Sequence, residues 1–92
     1  MKKLLLKDII KNLEKVRGWK LERNKIVREF IFNNFIESIS FVNKIAEAAE
    51  KEQHHPDISI RYNKVKIILS THSVNGVTDK DFRLAKLIDG LS

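Results

Sequence analysis

Between Lys7 and Val16 the apolar residues Ile9, Ile10, Leu13 and Val16 recur at helical spacing, and Gly18 follows as a stop signal, which predicts a short helix over about 7–16. Two strand-like runs come next, Trp19–Glu22 and Lys25–Phe32, and the polar pair Arg23-Asn24 between them suits a hairpin turn. Phe35, Ile39, Val42, Ala46 and Ala49 then return at intervals of four and three, a helical stripe of about 17 residues. Asn34, with Glu37 three positions on, is a variant of the capping box and marks where that helix begins. A second apolar set on the same segment, Phe41, Ile45 and Ala48, widens the stripe and predicts burial on two sides, one of them against another subunit.

Pro56 closes this region, because the residue before a proline is driven out of the helical basin and the ring has no N–H to donate. Ile58, Ile60 and Tyr62 alternate beyond it, and after Asn63-Lys64 so do Val65, Ile67, Leu69 and Thr71, the pattern of a second hairpin. Thr78 with Asp81 opens a last helix that carries Phe82, Ala85 and Ile88 on one side and Gly90 at its C-cap. The predicted fold is α+β, in the order helix-β-β-helix-β-β-helix, with a single four-stranded antiparallel sheet and helices packed on one face.

At 92 residues the chain is long enough for one domain, expected to span 1–92. A domain of this size hides only about 60–65% of its unfolded surface, so oligomerisation is the expected supplement to its core. Cysteine is absent, which removes disulfides, thiol nucleophiles and iron–sulfur ligation and fits a reducing compartment, here taken as the cytoplasm. The run Leu4-Leu5-Leu6 falls far short of the roughly 20 apolar residues a membrane span requires, so no membrane partner is expected. The net charge of +6 is unevenly placed: ten Lys or Arg against three acids through Arg28, eight against nine thereafter. The basic third alternates with apolar positions and reads as a solvated face, while the near-neutral remainder suits an uncharged or weakly charged ligand better than a phosphate polymer.

All three histidines, His54, His55 and His72, fall within 19 residues, and the second hairpin can fold them together. Histidine gives and takes protons near neutrality, its ordinary pKa being about 6.5, so such a cluster points to acid–base chemistry. A plainer reading has His54 complementing a helix C-terminal dipole and the other two lying on the surface; the residues alone leave both open. Metal ligation is disfavoured, since adjacent histidines diverge on extended backbone and neither His-x-x-x-His nor His-x-His occurs. Ser70 and Ser73 flank His72 without a nucleophile elbow. No zinc finger or Gly-rich clamp is present, and Tyr62 and Trp19 are too isolated to form a base-stacking platform, so no nucleic-acid partner is expected.

Taken in order, Glu50, three residues, His54-His55-Pro56, five residues, Tyr62, nine residues, His72, eight residues and Asp81 resemble the signature of the pterin-4a-carbinolamine dehydratases. Gly18-Trp19, Arg28-Glu29-Phe30-Ile31-Phe32, Tyr62-Asn63-Lys64-Val65, Leu69-Ser70-Thr71-His72 and Gly76-Val77-Thr78 are similar to that family as well. Asp57-Ile58 and Val74-Asn75 depart from the pattern of some members and leave the acid–base set in place. The resemblance implies dehydration of 4a-hydroxytetrahydropterin to quinonoid dihydropterin, with a pterin substrate and no cofactor or metal. On acid–base grounds His54 is assigned as base at the pterin ring, His72 as acid for the departing hydroxyl, and His55 as holding the ring edge or assisting. Glu50, Pro56 and Asp81 are the expected substrate-binding or orienting residues. The resemblance also implies a homodimer joined sheet edge to sheet edge, or a homotetramer paired through helices. The alternative is a non-catalytic module of the same fold, since animal members also serve as dimerisation cofactors of a homeodomain transcription factor.

Overall fold

A computed structural model describes residues 2–92 and contains three helices, α1 (Leu6–Leu13), α2 (Phe35–Glu52) and α3 (Asp79–Asp89), and four strands, β1 (Lys20–Glu22), β2 (Lys25–Ile31), β3 (Asp57–Arg61) and β4 (Lys64–Leu69). A 3-10 turn over His72–Val74 separates β4 from α3. The strands form one antiparallel sheet in the order β1-β2-β4-β3, so the α+β arrangement expected from the sequence is observed. None of the described helices is long and apolar enough to cross a membrane.

Register explains how alternation becomes a core. Ile26 lies opposite Leu69, Arg28 opposite Ile67 and Phe30 opposite Val65, while Ile58 and Ile60 of β3 pair with Ile67 and Val65. Directly opposed residues share a face, so these positions line the side of the sheet that meets the helices. Ile26, Phe30, Val65, Ile67 and Leu69 are all buried there. The other face carries Lys20, Glu29, Ile31 and Lys64, all exposed. Phe41 of α2 packs between Phe30 and Phe32, with ring centroids 4.8 and 4.9 Å apart. Ile45, one turn on, is completely buried. Each such side chain stabilises the fold by about 1.5–3 kcal/mol through removal of apolar surface from water.

Several local expectations are corrected. The face of α2 that enters the core is Ser38, Phe41, Ile45 and Ala49. The other apolar set, Phe35, Ile39, Val42 and Ala46, is half-buried or exposed in the single chain, and Ile36 is 79% exposed. Two apolar stripes on one helix are equivalent by periodicity, and tertiary packing, including the rings of Phe30 and Phe32 around Phe41, selects between them. Helix α1 ends at Leu13 rather than Val16, and Ile10 points to solvent; Val16 is buried from the turn that follows, where Gly18 takes φ +90. The β3–β4 turn sits one residue earlier than expected: Arg61 pairs with Lys64, and Tyr62 takes φ 54 in the turn instead of extending the strand. Thr71 lies beyond β4, bridged to Gly76. Gly90 does cap α3, but in right-handed conformation.

Candidate active site

Three features of the backbone bring the histidines together. Helix α2 ends in a Schellman motif, in which the His54 N–H reaches the Ala49 carbonyl (3.1 Å) and the Gln53 N–H reaches that of Glu50 (3.3 Å). The motif needs a left-handed residue at Gln53, where φ is 51 and ψ 42. Glycine is the usual occupant, and a side chain there costs about 1–2 kcal/mol of local strain. Part of that cost is offset by the Gln53 carboxamide, whose Nε2 donates to the Glu50 carbonyl at 2.7 Å. The reversal turns His54 back toward α3. Strand β4 then delivers Ser70 and Thr71 beside it, and the 3-10 turn carries His72 to the same side.

Asp81 sits in the first turn of α3 with its side chain wholly buried. Its Oδ2 accepts from the Thr78 N–H (2.9 Å), the reciprocal half of a capping box, and from the Thr71 hydroxyl (2.9 Å). Its Oδ1 meets His54 Nε2 at 2.5 Å. A carboxylate only accepts, so the imidazole must be the donor at Nε2. The remaining protons follow in sequence: Thr71 donates to Asp81, so the 2.7 Å contact between the two hydroxyls is Thr78 donating to Thr71. Thr78 Oγ1 accepts in turn from the Lys80 N–H at 3.3 Å. In its neutral form His54 thus carries its proton on Nε2 and leaves Nδ1 as the acceptor, and no protein group among the described residues bonds that nitrogen.

His55 has a different partner. Its Nε2 meets Glu50 Oε2 at 2.5 Å, and this pair is open to water, 59% and 70% exposed. The His54 side chain, by contrast, is only 11% exposed. His72 is exposed and bonds no side chain among the described residues. All three imidazoles line one cleft of about 300 Å³, together with Ser70, Ser73 and Lys80. A larger depression of about 680 Å³ lies beside the β1–β2 turn and contains no histidine.

The six residues singled out from the sequence therefore divide. His54, His55 and His72 border the cleft; Asp81 backs His54 from within the core; Glu50 flanks His55 at the surface. Pro56 is half-buried at the entry to β3, where it ends the loop without lining the cleft. Sequence reasoning missed Thr71, which ties Asp81 to the segment that follows β4, and Gln53, whose left-handed backbone aims His54. The two threonines at a spacing of seven offered a faint signal for the first; glutamine offers none for the second. Among the described residues no three His, Asp or Glu side chains are grouped so as to hold a metal ion.

Likeness to known proteins extends over nearly the whole chain. The family model described as Pterin 4 alpha carbinolamine dehydratase matches residues 2–91. A Trichodesmium erythraeum protein named "Putative pterin-4-alpha-carbinolamine dehydratase" is 48% identical over 97% of this chain and 96% of its own. A Sulfurisphaera tokodaii protein of the same name is 47% identical over 99% and 98%. The crystal structure of a Brucella melitensis protein, described as a transcriptional coactivator/pterin dehydratase, superposes with a TM-score of 0.94 at 33% identity, covering 98% of both chains. A pterin dehydratase-like RuBisCO assembly factor of the α-carboxysome shares the fold at a TM-score of 0.66 and 19% identity, over 79% of this chain and 84% of its own.

Proposed function

This chain belongs to the pterin 4 alpha carbinolamine dehydratase family, and from that premise we propose that it dehydrates a 4a-hydroxytetrahydropterin to the quinonoid dihydropterin by histidine acid–base catalysis. The observation that carries the reading is the Thr78–Thr71–Asp81–His54 chain of hydrogen bonds, which ends on an imidazole at the cleft with its acceptor nitrogen free.

The reaction needs two proton transfers. The N5–H proton leaves the pterin ring, its electron pair forms the C4a–N5 double bond, and the C4a hydroxyl departs as water after taking up a proton. His54 Nδ1 is the base for N5–H, because Asp81 keeps the other nitrogen protonated and stabilises the imidazolium that forms. His72, which has no side-chain partner of its own among the described residues, is the acid at the departing hydroxyl. His55, steadied by Glu50, holds the ring edge or assists. A positioned acid or base contributes about 10²–10⁴ in rate, ample for a carbinolamine that also dehydrates unaided. The side chains named accomplish this by moving protons, without a resident cofactor.

The test is turnover of chemically generated carbinolamine by the wild-type chain and by H54A and H72A. Each variant is expected to lose at least about tenfold in rate with an unchanged circular dichroism spectrum. Full activity in either removes that histidine from the mechanism. An inert wild type returns the chain to the non-catalytic binding role.

A further inference from the structure

We propose that Asn24, at the tip of the β1–β2 turn, is the positioning residue for His72. The inference rests on the dehydratase reading for the role of His72, and on geometry alone for the contact. The loop bearing His72 is closed at its base, where the Thr71 N–H reaches the Gly76 carbonyl at 2.8 Å and the Gly76 N–H returns to Thr71 at 3.4 Å. Within it the Asn75 N–H bonds the His72 carbonyl at 3.1 Å, so the placement of Asn75 sets that of the histidine backbone. Asn75 itself adopts the left-handed conformation, φ 52 and ψ 50, which asparagine tolerates better than most residues.

Residues 72–75 have one side-chain attachment to the rest of the fold among the described residues, at Asn75 beside the closure. Asn24 Nδ2 donates to the Asn75 carbonyl at 3.1 Å and to Asn75 Oδ1 at 2.9 Å, across 51 residues of sequence. One amide thus grips the backbone and the side chain of the same residue. The two-residue loop that presents it is tight, with Glu22 paired to Lys25 and Arg23 at φ 57, so the turn is a rigid mount. His72 has no such brace of its own: its ring is exposed and it sits in a three-residue 3-10 turn. An acid that must meet a departing hydroxyl loses rate steeply with small displacements, so a support for its backbone acts directly on the chemical step.

The experiment compares wild type, N24A, H72A and the double variant N24A/H72A in carbinolamine turnover. N24A is expected to lower kcat by about three- to tenfold and to change KM by less than about twofold, since the support serves the proton transfer more than ring binding. In the H72A background the same change is expected to have no further effect. In parallel, ¹H–¹³C spectra of the imidazoles are expected to show the His72 Cε1–H resonance moved or broadened in N24A, with those of His54 and His55 in place. Equal losses in both backgrounds, or an unmoved His72 resonance, overturn the proposal. If the wild type does not turn over while the His72 resonance moves alone, the contact stands and it is the dehydratase reading that falls.

Discussion

Asp81 is where fold and proposed chemistry meet, and replacing it separates the two. In Asp81→Asn the amide oxygen must stay with the Thr78 N–H, which cannot turn away, and with the Thr71 hydroxyl. The amide nitrogen then faces His54 Nε2 across the space of a 2.5 Å hydrogen bond, donor against donor. The imidazole relieves this by moving its proton to Nδ1, the nitrogen needed as base. Exchanging the charge-assisted bond for a neutral one costs about 1–2 kcal/mol. The wrong tautomer is expected to cost about 10²–10⁴ in rate. Asp81→Ala works differently. It strands the Thr78 N–H and the His54 ring N–H in a buried site, the Thr71 hydroxyl alone being free to seek another acceptor. At about 1–3 kcal/mol for each orphaned donor, the expected loss is about 2–6 kcal/mol. That is a large share of the roughly 5–14 kcal/mol available to a chain of this length. Urea unfolding followed by circular dichroism, alongside carbinolamine turnover, reads both effects. A folded Asn variant with activity within twofold of wild type refutes the tautomer argument, and an Ala variant destabilised by less than about 1 kcal/mol refutes the structural one.

Three further outcomes are expected. Gly18→Ala sets a methyl in left-handed backbone at φ +90 and within 2.9 Å of Arg28 Nε, the arginine that bonds Asp89 and the Arg17 carbonyl; a loss of about 1–3 kcal/mol in urea unfolding is expected, and no loss would mean that the segment relaxes freely. Turnover should survive prolonged chelation, because the proposed proton transfers need no Lewis acid; activity lost to chelator and restored stoichiometrically by zinc would replace the mechanism. Sedimentation at micromolar concentration should give at least a dimer, with a tetramer within reach, because β3 is an edge strand and Phe35, Ile36 and Leu87 are left exposed in a single chain; a species near the 10.7 kDa chain mass would return those faces to solvent.

What the linear chain determined by itself was whatever depends on neighbours a few positions apart. Alternation at Val65, Ile67 and Leu69, the capping pair Thr78 and Asp81, and the Asn34 cap, whose Oδ1 accepts the Glu37 N–H at 2.9 Å, are local, and they specified the element order and the sheet. The histidine spacing was legible for the same reason: a hairpin of known length between His55 and His72 returns the chain to its start. Tertiary structure alone decided which carboxylate serves which histidine. Glu50 lies four residues before His54, yet the left-handed turn at Gln53 points it to His55, while Asp81, 27 residues away, takes His54 because α3 packs there. It also decided which face of α2 enters the core, since both apolar sets have helical period and the face carrying Phe41 is the one that meets the rings of Phe30 and Phe32. Periodicity reports that a face will be buried; the shape of what lies opposite determines which face, and which distant side chain shares a proton across it.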